Sequence, residues 1–258
     1  MLKRLRIAIL AYVGLIVAVG HFLTAARSTD WDATLWVDVY PLAGDGETAT
    51  AEFVRNLTLD DFHGIEVFFA REAHRHGVAL ERPFRLNLAA PIMGPLPALG
   101  PRPSAIDVAL WSLRMRWLAT TLGWHSPRPA ADIVVFAVYH AGATTAVLDR
   151  SMALEKGLIA VANLFAERAA KEPNQVVLAH ELLHTLGAGD KYSTTTNLPI
   201  YPDGYAAPTA HPLLPQKKAE LMAGRIAVTQ ASAEIPQSLR DVVVGSVTAA
   251  EIGWLRTP

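Results

Sequence analysis

The chain has 258 residues, 51% of them hydrophobic, and a formal net charge of −1. That length suits one full domain, or one domain with a small appendage, and the near-neutral balance gives no electrostatic case for a nucleic-acid partner. There is no cysteine, so disulfides and thiolate metal ligands are excluded and any metal must be held by His, Asp or Glu.

Lys3, Arg4 and Arg6 precede an uncharged run from Ile7 to Ala26. Twenty helical residues rise about 30 Å, the thickness of a bilayer's hydrocarbon core. The sequence therefore predicts one N-terminal transmembrane helix within residues 1–27, with its basic flank in the cytoplasm and residues 28–258 outside it as a single domain. The competing expectation is a signal peptide cleaved near Thr24-Ala25-Ala26, which would leave a secreted protein. The length of the uncharged run favours the anchor. His21 falls near the outer interface and is read as an interfacial residue.

Leu35–Leu42 reads as a strand, followed by a turn at Gly44-Asp45-Gly46. Asp60–His76 reads as a helix, with Phe62, Ile65, Phe69 and Ala73 at helical spacing and Gly77 as its stop. Phe84–Leu88 alternates and predicts a short strand. The stretch from Pro91 to Pro103 holds five prolines and two glycines and predicts a loop. Ser104 is placed to cap a helix over Ala105–Leu122 whose buried face is expected to be Ile106, Leu110, Leu113, Trp117 and Leu118, with Arg114 and Arg116 in solvent. Asp132–His140 is a near-continuous apolar run suited to a central strand, and Leu158–Leu164 predicts another. Residues 193–215 lack periodicity and predict a long irregular segment of the kind that is often functional. Gly245–Leu255 predicts a closing helix. The sum is an α/β (α+β) domain with a mixed sheet and a loop-rich C-terminal part.

Val176–Tyr192 carries the chemistry. His180-Glu181-Leu182-Leu183-His184 is an H-E-x-x-H. On a helix, residues i and i+4 share a face, so both imidazoles can reach one metal ion and the glutamate can reach a water beside it. Asn174 is placed to cap this helix, with Pro173 just outside it. Gly187 follows where the helix would need to end, because glycine accepts a positive φ. The turn can bring Asp190 round as a third, oxygen ligand. Two imidazoles, one carboxylate and an open position make a catalytic type of zinc site. Glu220, 36 residues after His184, is a second carboxylate candidate and ranks below Asp190.

His180-Glu181-x-x-His184-x-x-Gly187-x-x-Asp190 resembles the elongated zinc signature of the metzincin metallopeptidases. Most of that clan has His at the third position, and some members have Asp. The resemblance implies a zincin-type domain with an active-site helix, and a methionine turn beneath the metal, for which Met222 within Leu221–Gly224 is the candidate. It also implies Zn²⁺ as cofactor, a peptide or protein substrate, and hydrolysis in which Glu181 takes a water's proton and passes it to the leaving amine. Tyr192, Tyr201, Tyr205 and His211 are the nearby candidates for a donor to the oxyanion. The expected protein is a membrane-anchored, extracytoplasmic zinc metallopeptidase. The alternatives are a non-catalytic, metal-stabilised binding or scaffold module at the membrane and a hydrolase of non-peptide amides. His74, His76 and His140 are read as ordinary surface or core residues. Oligomeric state has no signature in the sequence.

Overall fold

The computed structural model describes residues 29–100, 103–124, 131–142, 152–154 and 158–255. The run Ile7–Ala26 lies outside the described residues, and no helix among those described is long and apolar enough to cross a membrane.

The chain builds a mixed α/β fold on one five-stranded sheet, ordered β2-β1-β3-β5-β4. Its strands are β1 (Leu35–Ala43), β2 (Phe84–Leu88), β3 (Ile133–His140), β4 (Met152–Leu154) and β5 (Ile159–Phe165). β2, β1, β3 and β5 run parallel, and β4 pairs antiparallel with β5 at the edge. Parallel strands are buried on both faces and read as near-continuous apolar runs, which is how β1 and β3 appear in the sequence. Five α-helices are described: α1 (Thr48–Arg55), α2 (His63–Arg75), α3 (Ala105–Trp124), α4 (Lys171–Thr185) and α5 (Ser246–Glu251).

Strand side chains alternate between two cores. On one face Val37, Val39, Ile133, Val135, Ala160 and Ala162 pack with α2 and α4. On the other, Tyr40, Leu42, Phe136, Val138, Ile159 and Val161 pack with Trp111 and Met115 of α3. Helix α2 buries the predicted Ile65, Phe69 and Ala73, while Phe62, also buried, precedes its first turn. It begins at His63 rather than Asp60, because residues 59–61 form a separate 3-10 turn, and it ends before Gly77, whose φ is +77°. Helix α1 was not foreseen: eight residues with Thr50 and Val54 as the only buried positions leave little periodicity to detect.

Helix α3 forms where the sequence places it, capped by Ser104, whose Oγ accepts from Asp107 N and donates to the Asp107 carboxylate. Its orientation is the opposite of the expected one at four of the five positions; Leu118 alone packs, partly buried, against the sheet-side core. Trp111 and Met115 face the sheet, while Ile106 (71% exposed), Leu110, Leu113 and Trp117 face outward. The helix carries apolar residues on two opposite sides, so periodicity offers two stripes and tertiary packing chooses between them.

The start of α4 is also corrected. The helix begins at Lys171, so Pro173 lies inside its first turn, where a missing N–H costs no intrahelical bond. Asn174 is therefore helical and does not cap. Its side chain instead pairs with both backbone groups of Phe165, tying α4 to the end of β5 (2.8 and 3.1 Å).

Beyond α4, residues 193–215 are irregular as expected. The short pairs β6 (Ala219–Glu220) with β9 (Val242–Val243), and β7 (Ile226–Ala227) with β8 (Ala233–Glu234), organise the remainder. Glu72, buried on α2 between Arg71 and Arg75, accepts from Val244 N (3.0 Å) and so fastens β9 to the main domain.

Candidate metal centre

Helix α4 runs along the first core with Leu178, Leu182 and Leu183 buried, each worth roughly 1.5–3 kcal/mol against exposure. That packing turns His180 and His184 together toward one side. The helix ends in a Schellman arrangement: Gly187 N donates to His184 O and Ala188 N to Leu183 O, both at 3.1 Å, with Gly187 at φ +96°. The turn returns the chain so that Asp190 meets both histidines.

Three acceptor atoms converge. His180 Nε2 and His184 Nε2 are 3.0 Å apart, and Asp190 Oδ1 lies 3.2 Å from the first and 3.1 Å from the second. The far side of each ring is committed. His180 Nδ1 meets Leu221 O at 2.9 Å, and His184 Nδ1 meets Ala188 O at 2.7 Å. A carbonyl oxygen only accepts, so each Nδ1 carries the hydrogen, and in a neutral ring each Nε2 presents a bare lone pair. Two lone pairs and a carboxylate at this spacing repel unless a cation or an extra proton sits among them. Tetrahedral zinc with bonds of about 2.0–2.1 Å holds its ligands about 3.3 Å apart. The donor set and the spacing both fit a zinc ion.

Glu181 also comes near, its carboxylate within 4.8 Å of the two imidazole nitrogens. Asp190 sits at ligand-to-ligand distance, while Glu181 lies further off, at the reach of a water. Glu181 is buried, and its Oε2 has no hydrogen-bond partner. An unpaired carboxylate oxygen in such a place is costly unless something polar meets it. Burial raises the Glu181 pKa, with the two neighbouring imidazoles opposing. For Asp190, burial pushes upward, but hydrogen bonds to His180 and His184 overcome it and hold the carboxyl well below the usual range. For His180, burial pulls downward, but the Asp190 hydrogen bond and the Glu181 charge leave it raised.

The floor of the cluster is the 3-10 turn Leu221–Ala223, closed by Gly224 at φ +65°. Met222 is fully buried there. The turn touches both ligand-bearing segments: Leu221 O orients His180, and Met222 O accepts from Lys191 N (2.9 Å), next to Asp190. Glu220 is not in the cluster. Its Oε2 accepts from Ala223 N, and its Oε1 accepts from Gly245 N and Thr248 Oγ1 (3.0, 3.0 and 2.7 Å). It is wholly buried, burial raises its pKa, and it pins the turn to α5. Glu251 of α5 clasps the Asp190 loop, bonding Lys191 Nζ at 2.7 Å and Gly189 N at 3.1 Å.

Of the proposed oxyanion donors, Tyr192 follows Lys191 and bridges Pro199 through its backbone. Tyr205 bridges Ala219 through its backbone, and its ring stands edge-on against Tyr201 at 5.4 Å. His211 is exposed. Sequence reasoning missed the carbonyls of Leu221 and Ala188 and the clasps made by Glu220 and Glu251. Backbone acceptors carry no residue signature, and the two glutamates are recognisable only once α5 is packed.

No protein-family model matches the chain, and no curated protein matches its sequence.

Proposed function

We propose that the chain is a zinc-dependent metallopeptidase of the metzincin type, held at the outer face of a membrane by its N-terminal run. The observation that carries this reading is the convergence of His180 Nε2, His184 Nε2 and Asp190 Oδ1 at 3.0–3.2 Å with both Nδ1 atoms already engaged. His180, His184 and Asp190 would hold the ion. When bound, zinc supplies Lewis acidity, polarising a carbonyl and lowering the pKa of water.

The chain's own groups do the rest. Glu181 accepts the proton of the attacking water at its unpartnered Oε2 and delivers it to the leaving amine. Leu221 O and Ala188 O keep the imidazoles in one tautomer and orientation, as partners of metal-ligating histidines do. Among the described residues, the edge strand β4 has a sheet partner on one side only, which leaves the other side for an extended peptide to pair. A structural zinc site is closed by four protein ligands, whereas the three that converge here among the described residues would leave a position for substrate. That difference and the orphaned Glu181 oxygen favour catalysis over the scaffold reading.

The test is digestion of a peptide library by the full chain in detergent. Cleavage that stops on chelation and returns with zinc is expected. Intact peptides throughout, together with turnover of non-peptide amides, would transfer the site to the other hydrolase class.

A further inference from the structure

The outer layer formed by α3 and the proline-rich segment before it has no role in the metal centre, which lies on α4 across the sheet. Ile106, Leu110 and Leu113 form a stripe at spacings of four and three, and it continues to Trp117. Ile106 is 71% exposed, Leu110 48% and Leu113 64%. A contiguous apolar face of this kind marks an interaction surface. We propose that this face lies on the surface of an anionic phospholipid bilayer.

Three observations select a bilayer as the occupant. First is charge placement. At about 100° per residue, exposed Arg114 and half-buried Arg116, whose Nε also bonds Ser112 Oγ, fall roughly 80° to either side of the stripe, the position of headgroup contacts on an interfacial helix. The helix's one acidic residue, Asp107, is taken up by the Ser104 cap. Second is the tether, which rests on the anchor reading. Ala26 ends the apolar run only five residues before Trp31, which is already core, so at most about 17 Å of chain separates the two. Trp31 packs with Phe84 and Trp254 in the core on the α2 and α4 side of the sheet, so the tether brings the bilayer within reach of the domain without itself selecting the α3 face. Third is a cavity of about 540 Å³ in the same layer, lined by Leu42, Ile92, Met93, Leu96, Trp111 and Met115. Met93 is 89% exposed, so the cavity reaches the surface of the same layer. Its size is that of a small-molecule site, and its apolar lining accepts an acyl chain. Seated this way, the domain leaves the His180–His184–Asp190 cluster on the opposite face of the sheet, open to the aqueous side.

The absence of cysteine makes the test direct. Leu113→Cys and, on α2 across the sheet, Val67→Cys (55% exposed) each accept one nitrobenzoxadiazole label. The labelled full chain is reconstituted in vesicles of phosphatidylcholine and phosphatidylglycerol carrying doxyl lipids. The Leu113 label is expected to shift to the blue and to be quenched several-fold more than the Val67 label. The difference should shrink when phosphatidylglycerol is omitted or when Arg114 and Arg116 are both changed to Gln. Equal quenching at the two positions, with the chain floating with the vesicles, would overturn the docked face while leaving the anchor intact. Failure to float would overturn both. A Leu113 label shielded equally in detergent, with energy transfer between chains, would assign the face to a second copy and overturn the proposal.

Discussion

The two long helices on opposite faces of the sheet form a contrast. α4 has fifteen residues and α3 has twenty, and both are rich in leucine and other apolar side chains. In α4 the apolar positions fill a core, and the buried polar positions either tie the helix to its neighbours or form the cluster. Asn174 holds β5, Gln175 Nε2 donates to Asp61 O at 2.8 Å, and His180, Glu181 and His184 form the cluster. In α3, among the described residues, Trp111 and Met115 are buried and Leu118, Ala119 and Leu122 partly so, and the apolar residues outnumber what one face of a sheet can cover. The lesson is that apolar content does not identify a buried face; it says only that some apolar partner is needed. For α4 the partner is the domain itself, and for α3 the proposed partner is a bilayer.

The largest effect expected from breaking this contrast is at the chemistry of α4. Glu181→Gln should lower peptide hydrolysis by roughly 10²–10⁴-fold, the usual worth of general acid–base catalysis, with zinc content unchanged. Its Tm should stand at or above that of the unsubstituted protein, because the change removes an unpaired buried charge. Hydrolysis that survived would remove Glu181 from the mechanism.

The next largest separates the two faces of α3. Met115→Ala should cost roughly 2–5 kcal/mol in a denaturant titration, as for other core truncations. Leu113→Ala, on the outer face of the same helix, should stay within about 0.5 kcal/mol in detergent solution. Equal losses would mean that the outer stripe is covered by protein.

Gly187→Ala probes how far the metal site depends on the end of α4. Nothing lies within 4 Å of the added Cβ, so the cost is backbone strain at φ +96°, about 1–2 kcal/mol. Thermal unfolding should register it, and zinc affinity should fall as Asp190 and the His184 partner Ala188 O move together.

The smallest expected effect is in pH dependence. In the metal-free protein the raised pKa of His180 contributes stability that is complete below the ordinary imidazole value and lost as pH rises through the folded one. The lowered pKa of Asp190 contributes stability above the ordinary carboxylate value, lost as pH falls. Zinc competes with the His180 proton, so the Tm gain on adding zinc should grow from pH 6 to pH 8. A gain that is flat or declining over that range would contradict a site built on neutral imidazoles.

The sequence makes the cluster legible because H-E-x-x-H on a helix is a local pattern, and Gly187 and Asp190 complete it within eleven residues. The strands are legible for the same reason: β1, β3 and β5 are uninterrupted apolar runs. What escaped depends on distant packing. Glu220 is a plausible ligand by type, yet Gly245 and Thr248, some 25 residues away, claim its carboxylate. Ile106, Leu110 and Leu113 are as apolar as Trp111 and Met115, and only the position of the sheet decides which of them is covered. Pro173 and Asn174 looked like the outside and the cap of α4, but the helix starts three residues before Asn174 and gives its side chain to Phe165.

The central claim is that His180, His184 and Asp190 hold zinc. Its most direct test is zinc content per chain, measured by mass spectrometry on the full-length protein after chelation, reloading and desalting. One zinc ion per chain is expected for the unsubstituted protein, about one tenth or less for His184→Ala, and an intermediate, easily stripped amount for Asp190→Ala. Zinc absent from the unsubstituted protein, or equal content in the His184→Ala protein, would contradict it.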